Sequence, residues 1–271
     1  MATFYDTHGH LDFPDFAGDL STVVERAHAA GISKIITIGT DLESSRRAIQ
    51  LSERFAGVFA AVGWHPTHVL EAPEDLRPVF RELARHPKVV AIGETGLDYH
   101  RLPSQQPGGA PEDDARYKGK QAAAFEQQLE LAAEFGLNCV VHQRDALEDT
   151  IAIMQKFAGR TRGVFHCFAN DAAAMQRIVA LGSIVSFTGI LTFKNGQNIR
   201  DTLAATPAGK FMLETDCPYL APIPYRGKRC EPAYVKEIAD VAAQVKGCGL
   251  EELSAATCAT AHEFFPKLKS T

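Results

Sequence analysis

The sequence predicts a closed (β/α)8 barrel, an α/β fold whose active site lies at the C-terminal ends of eight parallel strands. Short apolar runs alternate with helical patterns along the chain, which is typical of a parallel sheet. The runs are nearly continuous rather than alternating in polarity, as expected for strands covered on both faces. Eight such runs within 271 residues favour one barrel domain, over residues 1–271.

The predicted strands are residues 4–7, 34–38, 58–62, 89–92, 139–141, 164–165, 184–187 and 211–213. Helical stripes of apolar residues occur between and after them, over 118–135, 147–158 and 235–245. Gly136 ends the first stripe, and Pro232 precedes the third. No Gly-x-Gly-x-x-Gly follows the first strand, which disfavours a dinucleotide-binding sheet.

One segment interrupts this alternation. Residues 99–117 are rich in proline and glycine, so we predict a long loop after the fourth strand. In a barrel it would lie above the C-terminal face, where it either shapes substrate entry or is a tolerated surface insertion.

Composition excludes several classes of protein. No run of eighteen apolar residues occurs, so no membrane span is expected. The N-terminus continues directly into the first strand, so we expect no signal peptide and a cytoplasmic protein. Six cysteines without a Cys-x-x-Cys pattern are expected to be free thiols. A net charge of −5 argues against a broad basic coat for nucleic acid, but is compatible with a nuclease whose phosphate contacts are local.

Titratable side chains follow the predicted strands on one rim. His8 and His10 come after the first strand, and their alternate spacing directs both side chains to one face. Gathering so many titratable groups in one concave place would cost free energy unless a cation bound them. A set of imidazole and carboxylate ligands suits divalent ions. The candidate ligands outnumber the four positions around one tetrahedral ion. This predicts two ions, roughly 3.5–4 Å apart, that share a bridging carboxylate. The other candidates are His65, Glu94, Asp98, His142, His166 and Asp216.

A basic loop follows the eighth strand. Arg226, Lys228 and Arg229 lie within four consecutive residues, in a proline-rich loop on the same rim. They are interpreted as a phosphate clamp acting through charge-assisted hydrogen bonds. The alternative is a solvated loop with surface ion pairs.

Six ordered blocks resemble those of TatD-type metal-dependent deoxyribonucleases. The similarity runs from residue 6 to about 232. The resemblance implies a barrel of the amidohydrolase type in which His8, His10 and Asp216 hold one ion and His142 and His166 hold the other. Glu94 would bridge both ions, which would be Mg, Mn or Zn. The blocks are DTHGHL (6–11), GWHP (63–66), IGETGLDY (92–99), VHQR (141–144), FHCF (165–168) and LETDCP (213–218).

The chain departs from the family pattern at Asn138, Cys230 and Thr260, none of which is a proposed ligand. The 99–117 loop is also longer than the family leads us to expect. The family hydrolyses DNA with divalent metals, often from the 3′ end. Some members act on RNA, and some relatives hydrolyse other esters, including aminoacyl-tRNA.

The predicted function is a deoxyribonuclease that cleaves phosphodiester bonds, as an exonuclease from the 3′ end, through water activated by two metal ions. Asp216 would accept the proton from water, and His65 would hydrogen-bond the phosphate or protonate the leaving oxygen. Asp98 would orient a ligand histidine. Trp64 or Tyr225 would stack on a base.

Two other functions stay open. One is hydrolysis of another ester or amide by the same two-metal site, and the other is a non-enzymatic binding barrel with a vestigial site. The expected partner is DNA, with RNA as a further substrate, and the expected state is a monomer without membrane contact.

Overall fold

The computed structural model describes residues 2–269 and places eight parallel strands side by side in chain order. The strands are β1 (Phe4–Gly9), β2 (Ile32–Ile38), β3 (Val58–Val62), β4 (Val89–Asp98), β5 (Asn138–Arg144), β6 (Gly163–Phe165), β7 (Ile184–Phe187) and β8 (Phe211–Leu213). The α-helices are α1 (Leu20–Ala29), α2 (Leu42–Arg54), α3 (Arg77–Ala84), α4 (Pro111–Phe135), α5 (Leu147–Lys156), α6 (Ala172–Ala180), α7 (Gln197–Ala205), α8 (Val235–Lys246) and α9 (Leu250–Phe264). This order confirms the predicted barrel.

The barrel closes through the segment that follows β8. The backbone N–H of Asp216 donates to the carbonyl of His8 at 2.9 Å, and that of His10 donates to Cys217 at 2.8 Å. Below these bonds, the buried Asp6 carboxylate accepts from the backbone N–H of Thr215 at 2.9 Å and from its hydroxyl at 2.6 Å. First and last strands are therefore joined on the side where the polar residues lie.

The interior of the barrel is apolar at its lower end, where the strands begin. Ile36, Phe59 and Val90 project into it from neighbouring strands and are fully buried. Phe264 and Phe265, at the end of α9, pack against this cluster and cover that end of the barrel. A second apolar layer lies between strands and helices. The predicted site residues lie at the other, C-terminal end of the barrel, as in other (β/α)8 barrels.

Three strands extend beyond their predicted ends, and the first of them is β1, which continues to Gly9. β4 continues to Asp98 and β5 to Arg144, and the two remain paired to those residues. Gly96 is needed there: its φ is +139°, and a Cβ atom would lie 2.0 Å from the carbonyl oxygen of His142. The extension carries Glu94 and His142 within the ladder rather than on loops.

The predicted loop over 99–117 is wrong from residue 111 onward, because α4 begins at Pro111. Proline is favoured in the first turn of a helix, and the acidic residues Glu112, Asp113 and Asp114 complement the helix dipole there. Asp113 also accepts a hydrogen bond from the backbone N–H of Ala110 at 3.2 Å. The remaining loop, 99–110, contains one short 3-10 helix, Pro103–Gln105.

The cysteines are free, as predicted: three are buried and three are half-buried. Over the described residues, no helix combines the length and the apolarity that a membrane crossing requires.

Candidate metal centre

Glu94 lies at the middle of the site, and its two carboxylate oxygens face different histidines. Oε1 is 2.7 Å from His166 Nε2 and 2.9 Å from His142 Nδ1. Oε2 is 3.5 Å from His8 Nε2 and 3.8 Å from His10 Nε2. Glu94 is therefore placed between two groups of imidazole nitrogens, the geometry of a bridging carboxylate.

Asp216 completes the group on the Oε2 side. Its Oδ1 atom lies 3.6 Å from His8 Nε2 and 3.4 Å from His10 Nε2. These three residues form one set of converging ligand atoms, and His8, Glu94 and His166 form another. The structure thus brings together all six side chains of the predicted ligand set.

The strand register explains how the histidines arrive there. Val140 and Val164 project into the barrel interior from β5 and β6. His142 and His166 each follow two residues later, so they point to the same side one level higher. His8 and Asp216 come from opposite ends of the chain and meet only because the barrel closes between β1 and the segment after β8.

Two histidines are oriented by contacts outside the cluster. His142 Nε2 lies 2.9 Å from Asp98 Oδ2, and His10 Nδ1 lies 3.3 Å from the carbonyl of Ile38. Since both partners are acceptors, each ring carries its proton on that outer nitrogen. The inner nitrogen of each ring faces the cluster and would become a metal ligand once its own proton is lost, which is the usual arrangement of metal-binding histidines.

The electrostatics of the cluster favour positive charge. Burial alone would lower the pKa of His10 and of His142, but the neighbouring carboxylates raise each to about 9. Burial would raise the pKa of Glu94, yet His166 and His65 hold it well below its usual range. Burial and then the His166 charge lower the pKa of His8 to about 4. Carboxylates that stabilise protonated imidazoles at this buried site would equally stabilise divalent cations in place of those protons.

His65 is a further member of the site. It forms a third possible ligand set with Glu94 and His142. The backbone N–H of Thr67 donates to His65 Nδ1 at 3.2 Å, which leaves the ring proton on Nε2, 3.3 Å from Glu94 Oε1. Burial lowers the pKa of His65 to about 4, so the ring is neutral at neutral pH.

Sequence reasoning assigned no role to Glu214, which supports the cluster from below. Its oxygens accept from the backbone N–H of Cys167 and from the Ser186 hydroxyl, both at 2.6 Å. It lies 3.9 Å from His166 Nδ1, and burial raises its pKa to about 7. The signal was its spacing: Glu214 stands two residues before Asp216, on the same face of the chain.

The three cations of the predicted clamp do not form one free group. Arg229 is paired with Asp19 at 2.8 Å and packs over the ring of Phe16. Arg226 lies 3.9 Å from the ring centroid of Phe193, and Lys228 is exposed. The expectation of three cations free for phosphate is therefore corrected for Arg229, whose charge is already neutralised.

The two aromatic residues predicted to stack on a base are also engaged. Trp64 is buried, and its indole N–H donates to the carbonyl of His68 at 2.9 Å. Tyr225 is stacked on Tyr234 with ring centroids 4.0 Å apart. The exposed aromatic side chain of this rim is instead Tyr219, which sequence reasoning did not select.

Removing the carboxylate of Asp98 is expected to lower affinity for divalent ions about 10- to 100-fold, because His142 loses the acceptor that fixes its ring. Titration calorimetry of Asp98→Ala with Mn²⁺ measures this. Asp201→Ala is the matched control, since Asp201 is exposed on α7, away from the cluster, and accepts a hydrogen bond from Gln197. Equal affinities for the two variants would show that Asp98 does not position the histidine.

A model of the family described as TatD related DNase matches residues 5–266. The Bacillus subtilis (strain 168) protein named uncharacterized metal-dependent hydrolase YabD is 36% identical over 262 residues, covering 96% of this chain and 98% of that protein. The 3'-5' ssDNA/RNA exonuclease TatD of Erwinia amylovora is 35% identical over 268 residues, with 96% and 99% covered.

The solved structures give the same result. The crystal structure of YJJV, a TatD homolog from Escherichia coli K12, superimposes with a TM-score of 0.87 and 28% identity, covering 97% of this chain and 98% of that one. Sequence and fold agree over nearly the full length of both chains. The chain therefore belongs to the TatD related DNase family of metal-dependent hydrolases.

Proposed function

We propose that this enzyme is a nuclease that removes nucleotides from the 3′ end of single-stranded DNA, and also of RNA, with two divalent metal ions. One observation carries the two-ion proposal: the two oxygens of Glu94 face separate groups of histidines. Relatives named 3'-5' ssDNA/RNA exonuclease, at about 35% identity, support the substrate and the direction of digestion.

In this proposal, His8, His10 and Asp216 hold one ion, His142 and His166 hold the other, and Glu94 contacts both. The imidazole and carboxylate donors are compatible with Mg, Mn or Zn. When bound, such ions acidify a water molecule and offset the negative charge of a phosphodiester. The half-exposed Cys167 is not among the donors, so the set contains no thiolate.

Asp216 is the proton acceptor in this proposal. Its side chain is 15% exposed, against 4% for Glu94, so it is the cluster carboxylate that a water molecule reaches more easily. Its pKa is held below the usual value, although burial acts to raise it, because His10 and His8 favour the ionised form. An ionised and accessible carboxylate can accept the proton that water loses.

His65 is the proton donor in this proposal, in contrast to Asp216. Its Nε2–H donates toward the centre of the site, and Thr67 fixes that tautomer. A neutral imidazole with its N–H directed at the reacting group can hydrogen-bond a phosphate oxygen and protonate the leaving oxygen. We also retain two expectations: that the enzyme acts as a monomer and, because its cysteines are free, that it works in a reducing compartment.

The test is digestion of end-labelled DNA by protein loaded with Mg²⁺, Mn²⁺ or Zn²⁺, beside a panel of carboxylate esters and lactones. We expect mononucleotide release from the 3′ end of single-stranded DNA, and loss of all activity after chelation. Turnover of the esters with intact DNA would instead support the alternative hydrolase. DNA cleavage that survives chelation would contradict the metal mechanism.

A further inference from the structure

A groove leads away from the metal centre across the ends of β4 and β5. It consists of two adjoining cavities of about 490 Å³ and 790 Å³, which share His100 and Arg144 in their walls. Arg101, Tyr117 and Tyr219 also line the smaller cavity, and Lys118 lines the larger one. The groove belongs partly to β5 and α4, so it is not formed by loops alone.

The smaller cavity adjoins the metal centre through two independent contacts. Asp98 lines the cavity, and its Oδ2 atom lies 2.9 Å from Nε2 of His142 in the cluster. Tyr219 also lines it and makes an edge contact with Phe13, with ring centroids 6.1 Å apart. Phe13 in turn stacks on His10 at 4.7 Å. A strand with its end at the cluster would therefore continue into this cavity.

The carboxylates that line the groove each have a partner. Asp98 accepts from His142, and Asp145 is 2.8 Å from His100 Nδ1. Glu148 is paired with Arg177 at 2.6 Å, and Asp149 accepts from the hydroxyl of Tyr99 at 2.9 Å. The carboxylates of the groove are therefore engaged with residues other than its arginines and Lys118.

The cations in the groove are different. Arg101 and Arg144 are exposed, and neither has a carboxylate within ion-pair distance in residues 2–269. Lys118 lies over the ring of Tyr99, 4.5 Å from its centroid, and is likewise without an ion pair in that part of the chain. These three cations are therefore available to an anionic ligand, whereas Arg229 is already paired with Asp19. Uncompensated arginines are the groups that bind phosphates.

Tyr219 gives the groove a surface for a base. Its side chain is 56% exposed, the largest exposure among the aromatic residues around the centre. Neither Trp64 nor Tyr225 offers a free ring face of this kind. Exposed aromatic rings beside a cationic track are the common features of single-strand binding sites.

We propose that the single strand leaves the metal centre on the Asp98 side, with Arg144 and Arg101 binding its phosphates and Tyr219 stacking on a base. This inference rests on the proposed function, since the strand 5′ to the scissile bond is the part that occupies the groove. The strand-eight loop, with Arg226 and Lys228, then lies beside the track rather than along it.

The first test is binding of a fluorescein-labelled oligothymidylate by anisotropy in EDTA, which separates binding from hydrolysis. The double variant Arg101→Gln, Arg144→Gln is compared with Arg85→Gln, which loses an exposed charge directly after the end of α3, at the opposite end of the barrel. We expect affinity to fall about tenfold and the slope of log affinity against log salt to shrink by about 1.4, since each lost phosphate contact removes about 0.7. Wild-type binding is expected for Arg85→Gln.

The second test separates stacking from fold. Tyr219→Ala is expected to weaken binding about 5- to 100-fold, and Tyr219→Phe to keep it, because stacking needs the ring and not the hydroxyl.

A third test measures turnover by the double variant Arg101→Gln, Arg144→Gln on the oligonucleotide and on the small diester bis(p-nitrophenyl) phosphate. The value of kcat/KM for the oligonucleotide, divided by that for the small diester, should fall about tenfold, because the KM for the oligonucleotide rises.

The outcomes distinguish this inference from the proposed function. If the wild-type protein digests DNA and the double variant binds and digests like Arg85→Gln, the track is wrong while the function stands. If the wild-type protein hydrolyses esters and leaves DNA intact, the function is wrong. The anisotropy slopes then decide independently whether the groove binds a strand.

Discussion

Replacing Glu94 by glutamine is expected to lower hydrolysis by at least about 1,000-fold, more than the loss of one stabilising donor in an active site usually costs. The reason is the position of Glu94, whose two oxygens face the histidines on both sides of the centre. Glutamine has a similar shape but carries no charge, and only one of its terminal atoms can accept. Elemental analysis should therefore find that at least one ion per chain is lost.

Glu82→Gln provides the control for this prediction, because Glu82 is an exposed carboxylate on α3 paired with Arg85. It should retain full activity and metal content. Circular dichroism would verify that Glu94→Gln keeps its fold. Full activity of the folded Glu94→Gln protein, with unchanged metal content, would refute the bridging role.

Truncating Asp6 to alanine is expected to lower the free energy of unfolding by about 2–4 kcal/mol. The Asp6 carboxylate is fully buried and joins β1 to the segment after β8 through the backbone N–H and hydroxyl of Thr215. Alanine leaves those donors buried without an acceptor, at the point where the barrel closes. Because this closure places His8 beside Asp216, metal affinity should fall as well.

Urea unfolding in EDTA measures the first effect without any contribution from bound metal. Asp6→Asn is the matched variant: it keeps an acceptor for the Thr215 N–H, so it should lose less stability than Asp6→Ala. An Asp6→Ala protein with wild-type stability and metal affinity would show that this contact does not hold the barrel closed.

The sequence predicted the order of the elements better than their ends. Apolar runs marked where β4 and β5 begin, but residues 93–98 include two glycines and two carboxylates, which rarely favour strands. Pairing between the two strands overrides that local preference and extends them to Asp98 and Arg144. The start of α4 was different, since the Pro111 and acidic-residue signal was present and was attributed to the loop.

The meeting of the six proposed ligand side chains could be anticipated, because strand ends meet on one rim of a barrel. Pairing between side chains that are distant in sequence could not be anticipated, and this pairing decides which cations remain available to bind phosphate. Arg229 meets Asp19, 210 residues away in sequence, so no local pattern indicates that its charge is neutralised. Likewise, Arg144 appeared only as part of a block that follows His142, and the cavity beside it depends on how α4 and the 99–110 loop pack.

The central claim is that two ions lie on either side of Glu94. An anomalous difference map from a crystal loaded with Mn²⁺ tests it most directly. We predict two peaks, about 3.5–4 Å apart. One should lie beside His8, His10 and Asp216, and the other beside His142 and His166. A single peak at full occupancy, or two peaks without contact to Glu94, would contradict the proposed centre.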